Sequence, residues 1–295
     1  MDFFKVRGLR KTLLRGMAAV GTAVIATGVW AQTAADTLPE LPIIGAPTDG
    51  VMGWQPAATE LARDIHWLDG MILWIITAIT IFVTALLVWV AIRYNQKRNP
   101  KPATFTHNSP LEVAWTIVPI IILVFIGAFS LPILFKQQEI PEGDITIKVT
   151  GNQWYWNYEY VDEGFDFDSF MIGYNEGNLN DGIIAQLEEA GYTADEFKLA
   201  TDTAVVVPVG ATIVMVVTGA DVIHSWTVPA FGVKQDAVPG RLAHLWFKAE
   251  TEGVFFGQCS ELCGKDHAYM PITVKVVSQD VYDTWLAAAK TEFGS

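Results

Sequence analysis

Two stretches of this 295-residue chain contain no charged residue, Gly70 to Ile92 and Val113 to Phe135, each 23 residues long. A helix rises about 1.5 Å per residue, so either stretch can cross the ~30 Å hydrocarbon core of a bilayer. A helix buried in a water-soluble protein is seldom apolar on every side over such a length. The two stretches are therefore read as membrane spans, about 68–92 and 113–135, inside a helical hairpin at 67–136. Pro119 and Pro132 fall in the second span, where a membrane environment tolerates them better than water does. Trp67, Trp74, Trp89 and Trp115 sit near the span ends or in their outer turns, as interfacial anchors often do.

The segment between the spans carries Arg93, Lys97, Arg98 and Lys101 and has no acid before Glu112. Basic connecting loops stay on the cytoplasmic side, so both ends of the chain are expected on the other side. The N-terminus agrees. Lys5, Arg7, Arg10, Lys11 and Arg15 stand against Asp2 alone, and an apolar run from Met17 to Trp30 follows. That run is short for a span, and Val29-Trp30-Ala31 places small residues at the two key positions of a cleavage site. Residues 1–31 are read as a signal peptide cut after Ala31, with a retained N-terminal anchor as the alternative. Residues 32–66 are then an exported N-terminal segment.

Beyond Lys136 the pattern changes to period two. Ile145–Val149 alternates, Gln153–Tyr160 is rich in aromatic residues, and strand-like runs recur at 204–209, 212–218, 222–229, 242–248, 254–258 and 272–277. Gly and Pro separate several of them. Many short strands with such punctuation predict a β-sandwich or barrel over 137–278, closed by an amphipathic helix within 279–295. Residues 162–202 read as an acidic insertion that interrupts the strands, with eleven acids, Lys198 as the single base, and a short helix near 183–190. The insertion is either a solvated surface or a landing site for a basic partner. A formal net charge of -13 argues against nucleic acid as a partner.

The chemistry concentrates in Gly-Gln-Cys259-Ser-Glu261-Leu-Cys263-Gly-Lys-Asp-His267-Ala-Tyr-Met270-Pro, with His224 upstream at the edge of a strand-like run. Cys259 and Cys263 are the only cysteines, which excludes a disulfide-rich scaffold. Their spacing fits a disulfide in an exported domain. Two cysteines and two histidines also fit zinc. Thiolate, imidazole and thioether together favour copper over hard cations, and Met270 and the strand-rich context lean the same way. A one-copper site of the blue type needs one cysteine, two histidines and an axial methionine. The second cysteine would let two thiolates bridge two ions.

The string from Gly257 to Pro271, with Asp221-Val-Ile-His224-Ser-Trp226, closely resembles subunit II of haem–copper cytochrome c oxidases. So do Gly151-Asn-Gln-Trp154-Tyr-Trp-Asn-Tyr-Glu159-Tyr, His107-Asn-Ser-Pro-Leu-Glu112-Val-Ala-Trp115-Thr and Val233-Lys-Gln-Asp-Ala-Val-Pro-Gly-Arg241. The leader and the acidic insertion look like the alphaproteobacterial branch. The resemblance implies a two-helix transmembrane hairpin carrying an all-β cupredoxin domain, a Greek-key sandwich or barrel, on the periplasmic face of a bacterial inner membrane. It implies a dinuclear copper A centre held by the side chains of His224, Cys259, Cys263, His267 and Met270 and the backbone carbonyl of Glu261. The Glu261 carboxylate would share a magnesium ion with subunit I. Electrons would come in from cytochrome c at Trp154, with Glu159, Asp168, Asp202 and Asp221 receiving the cytochrome. They would pass to the haem of subunit I, where oxygen is reduced to water and protons are pumped. Glu112 would lie at the mouth of a proton pathway, although an acid there also suits a helix N-terminus. Subunit I, the other oxidase subunits, cytochrome c and the lipid bilayer are the implied partners. The quinol-oxidising counterparts lack these copper ligands, and a copper carrier would leave both spans unexplained.

Overall fold

A computed structural model describes residues 33–174 and 176–294. The signal peptide expected at 1–31 lies outside the described residues. Helices α1 (Glu60–Arg93) and α2 (Ser109–Gln138) form an antiparallel hairpin, and both run beyond the uncharged stretches. Their flanks expose Trp74, Leu86, Trp89, Ile121, Leu123 and Phe135 on all sides. Water would not tolerate such a surface, and both helices are long and apolar enough to span a bilayer. The protein is an integral membrane protein with two spans.

The charged first turns of α1 fix the hairpin to the rest of the chain. The Thr59 hydroxyl accepts from the Ala62 amide at 3.0 Å and donates to the Phe231 carbonyl at 2.8 Å, so one buried group caps the helix and anchors it. Arg63 forks onto Glu250 at 2.6 and 3.0 Å. Lys136, near the end of α2, bonds Glu60 and Asp64 at 2.7 Å each, and its carbonyl accepts from the Trp246 indole.

The remaining strands build two main sheets. One is ordered β4 (Phe165–Ser169), β3 (Tyr155–Tyr160), β2 (Ile145–Asn152), β6 (Thr212–Gly219), β9 (Ala243–Lys248). The other is ordered β1 (Ile43–Gly45), β10 (Gly253–Gln258), β11 (Pro271–Val277), β5 (Val205–Pro208). A hairpin of β7 (His224–Val228) and β8 (Val233–Ala237) adds a third ribbon. Val149, Trp156, Tyr158, Met215 and Phe247 of the first sheet share one apolar core with Val206, Phe255, Ile272 and Val274 of the second. This is the β-sandwich of the expected all-β domain.

The burial of each strand explains its sequence. In β2, β3, β4 and β9 buried residues alternate with more exposed ones, as on a sheet with one wet face. In β5, β10 and β11 nearly every residue is buried, because the outer face of that sheet is covered too. Helix α4 (Gln279–Phe293) buries Tyr282 and Trp285. The acidic segment supplies further cover: Ile172, Ile183, Leu187, Tyr192 and Ala200 form a second small core with Val254 and Phe256 of β10.

Three strands escape the sequence reading. β1 is three residues long and pairs with distant β10. The middle of β8 is Lys234-Gln235-Asp236, which hides its alternation. The stretch 162–202 does not interrupt the strands from its start, since Phe165–Ser169 pairs with β3 as β4. Phe165 and Phe167 point into the core, and Asp166 and Asp168 point out. The insertion proper follows Ser169 and contains helix α3 (Asp181–Glu189).

Thr59→Ala should cost about 1–2 kcal/mol of stability, the scale of a helix cap, and Thr59→Ser should restore most of it. Thermal unfolding in detergent measures both. Equal losses in the two variants would contradict the role given to the hydroxyl.

Candidate metal centre

Strand β10 ends at Gln258 and β11 begins at Pro271, so the loop 259–270 connects two paired neighbours. The Cys259 amide donates to the Met270 carbonyl at 3.1 Å and closes the neck of that loop. His224 opens β7, and its neighbour Ser225 accepts from the Ser260 amide at 3.0 Å. These pairings bring a distant strand end and both ends of one loop to a single place.

The donor atoms form one compact cluster. Nδ1 of His224 is 3.9 Å from Sγ of Cys259, the two sulfurs are 3.8 Å apart, and Nδ1 of His267 is 3.6 Å from Sγ of Cys263. The Glu261 carbonyl oxygen is 3.4 Å from Sγ of Cys259. His224, Cys259 and Cys263 are buried with their donor atoms within 4.8 Å of one another. Met270 is 1% exposed in the same core. Both cysteines are free.

The surroundings orient the donors. Nε2 of His224 lies 2.8 Å from Oδ1 of Asp221, so the carboxylate takes that N–H and leaves Nδ1 facing sulfur. The Trp156 ring meets the imidazole edge-on at 5.9 Å, and a side chain at Gly151 would strike it. Asp221 also accepts from the Gln153 and Val222 amides. The Gln153 side chain reaches across to the Cys263 carbonyl at 2.8 Å. Burial pushes the Asp221 carboxyl up, but its bonds to His224 and the two amides outweigh this and hold it below the usual carboxylate range. Burial likewise raises the Cys259 thiol, yet the His224 contact and the Ser225 and Glu261 backbone bring it down overall. The Cys263 thiol goes up, through burial and then through its charged neighbour Cys259.

Two thiols, two imidazoles, one buried thioether and one carbonyl are a soft to borderline set that suits copper. The His224 donor lies within 4.8 Å of both sulfurs, and Nδ1 of His267 approaches Cys263 at 3.6 Å from outside that compact group. A closed zinc tetrahedron needs four donors converging on one point.

The other sequence-predicted residues divide into near and far. Trp154 is half-buried, with its ring against Gly264 and Lys265 5.2 Å above it, while Trp156 is fully buried. Glu159 pairs with Lys148 at 2.8 Å across β2 and β3. Asp168 is exposed on β4 and accepts from Asn157. Asp202 binds the Phe170 and Thr203 amides at the base of the insertion. Asp221, read as a docking acid, serves His224 directly. Glu112 lies at the start of α2 and accepts from the Asn108 amide at 3.1 Å, as a helix cap does. The part of α2 that follows Glu112, about 39 Å of helix, stands between it and the β domain. The sequence reading missed the orienting roles of Gln153 and Asp221. Asp221 sits three residues before His224, a spacing that could have pointed to it.

Known proteins resemble the chain in both parts. A family profile for the cytochrome c oxidase subunit II transmembrane domain matches residues 47–133, and one for the periplasmic domain of that subunit matches 145–277. Cytochrome c oxidase subunit 2 of Cereibacter sphaeroides is 64% identical over 275 residues, covering 92% of this chain and 91% of that protein. Probable cytochrome c oxidase subunit 2 of Rickettsia bellii is 44% identical over 243 residues, covering 82% and 85%. The crystal structure of the periplasmic domain of subunit II of the Bradyrhizobium japonicum cytochrome oxidase shares 47% identity, with 52% of this chain and 99% of that one covered, at a TM-score of 0.44.

Asp221→Asn should weaken metal binding by about 10–100-fold, the usual cost of losing a carboxylate behind a histidine ligand. Competition with a chelator measures it. Unchanged affinity would show that Asp221 does not orient His224.

Proposed function

The chain belongs to the cytochrome c oxidase subunit II family, and on that premise we propose that the donor cluster holds a dinuclear copper centre receiving electrons from cytochrome c. The observation that carries this reading is the sequence imidazole, sulfur, sulfur, imidazole at 3.9, 3.8 and 3.6 Å. His224, Cys259, Cys263, His267 and Met270 would bind by side chains and Glu261 by its carbonyl. A copper pair bound there would share each electron over two metals, which lowers the reorganisation that accompanies transfer.

The protein's own part is to fix geometry and exclude water. Asp221, Trp156 and Gly151 hold one imidazole in place. Burial of both sulfurs and of Met270 keeps solvent off the centre. Trp154 gives electrons a way in, since its ring touches Gly264, the residue after Cys263. Asp168 and Asp202 would steer a basic cytochrome, with Glu159 partly neutralised by Lys148 and Asp221 committed to His224.

Electrons would leave towards the haem of subunit I, the site of oxygen reduction and proton pumping. The exposed Glu261 side chain would contribute to a magnesium site shared with that subunit. Glu112 would stand at the mouth of a proton pathway there, while also capping α2. The basic loop between the helices supports a cytoplasmic position for it and a periplasmic position for the β domain. A cleaved leader at 1–31 agrees with that topology.

Trp154→Phe in the purified oxidase should slow reduction by cytochrome c more than about tenfold, or ~1.4 kcal/mol of barrier. The copper spectrum should be unchanged. Rapid mixing with reduced cytochrome c gives the rate, and a wild-type rate would remove Trp154 from the route.

A further inference from the structure

The segment after Ser169 is tied off at its base and has a core of its own. The Ile172 amide donates to the Ala200 carbonyl at 3.1 Å, the Asp202 amide donates to the Phe170 carbonyl at 3.0 Å, and Met171 bridges to Thr201. Its small core rests on Val254 and Phe256, on the outer face of the strand that leads into Cys259. Helix α3 is capped by Asn180, which accepts from the Ile183 amide at 3.0 Å. Ile183 is fully buried beneath Gly173. At a φ of +75°, and with no room for a Cβ, only glycine suits position 173. The turn set by Gly173 presents Tyr174.

From this base the segment reaches the metal-binding loop at three points. The Tyr174 hydroxyl donates to Oδ2 of Asp266 at 2.9 Å. Lys198 takes a φ of 71°, and among the described residues it is the only non-glycine with a positive value. Its carbonyl accepts from the Gln258 side chain at 2.8 Å, and its ammonium lies 5.4 Å from the centre of the Tyr269 ring. Gln258, Asp266 and Tyr269 immediately precede Cys259, His267 and Met270. Each contact therefore fixes the backbone just before a donor. Asp266 does more, since its carboxylate also binds Lys265 at 3.2 Å and its carbonyl accepts from the Tyr269 amide at 2.8 Å. It holds both ends of the short turn that carries His267.

We propose that the segment from Phe170 to Asp202 is a brace that positions the metal-binding loop, with Tyr174 as its main positioning residue acting through Asp266 on His267. The proposal rests on the copper reading of the donor cluster. Its acidity keeps the outer surface soluble, while its buried face and two contact residues do the positioning.

The test uses the purified full-length chain loaded with copper, as wild type, Tyr174→Phe and Tyr192→Phe. Tyr192 lies in the same small core and makes no contact with the loop through its hydroxyl, so its variant controls for general loosening of the segment. Tyr174→Phe should retain two coppers per chain and show an altered copper hyperfine pattern. It should lose copper to a chelator about tenfold faster, the scale of one hydrogen bond to a charged group. Tyr192→Phe should match wild type in all three readouts. Lys198→Met, which keeps the aliphatic stem, should accelerate copper loss in the same direction and stands in if Tyr174→Phe does not accumulate. Tyr174→Phe indistinguishable from wild type, or Tyr192→Phe altered to the same degree, would overturn the brace. A wild type without a two-copper signal would instead overturn the copper reading beneath it.

Discussion

A single backbone bond at the end of a strand pair organises the centre. β10 and β11 are paired along their length, and the Cys259 amide continues that ladder onto the Met270 carbonyl at 3.1 Å. The loop between them must therefore leave and return at one place. Because both strands are close-packed on both faces, they cannot slip without misfitting Phe255, Ile272 and Val274 against their neighbours. Cys259, Glu261, Cys263, His267 and Met270 are fixed by a register that the hydrophobic core enforces. His224 joins them through the Ser260 to Ser225 bond, which docks β7 against the same loop.

Burial on both faces has to be supplied by other parts of the chain. Helix α4 packs Trp285 and Phe293 against Tyr160, Phe165 and Phe167 of the first sheet, and the segment after Ser169 covers Val254 and Phe256 of the second. The hairpin helices carry this sandwich on a joint made of Thr59, the Arg63 and Glu250 pair, and Lys136 with Glu60 and Asp64. The Arg63 and Glu250 side chains are largely exposed, so that pair adds little stability by itself and chiefly sets orientation. Buried hydrogen bonds such as that of Thr59 contribute more per contact.

The sequence made much of this visible, for definite reasons. Uncharged runs of 23 residues permit few structures, so the two helices were legible. Period-two runs such as Ile145–Val149 were legible because one face of that sheet is wet. β4 was hidden because Asp166 and Asp168 alternate with Phe165 and Phe167 and made the stretch look like a charged surface. β1 was hidden because three residues carry no period, and its pairing depends wholly on β10. The donor residues were legible as residue types with a family resemblance. The distances among them were not, because these depend on where β7 docks. Asp221 looked like one surface acid among several until its 2.8 Å contact with His224 gave it a different task. The acidic segment looked solvated because its eleven acids stand against a single base, while Ile183 and Leu187 were already spaced to face one side of a helix.

Electron transfer through this domain requires two metal ions sharing the donor cluster. The direct measurement is the copper-to-chain ratio of the purified full-length protein, with its electron paramagnetic resonance spectrum. Two coppers per chain and one unpaired electron spread equally over both are expected. One copper with localised hyperfine structure, or no copper with Cys259 and Cys263 joined in a disulfide, would contradict it.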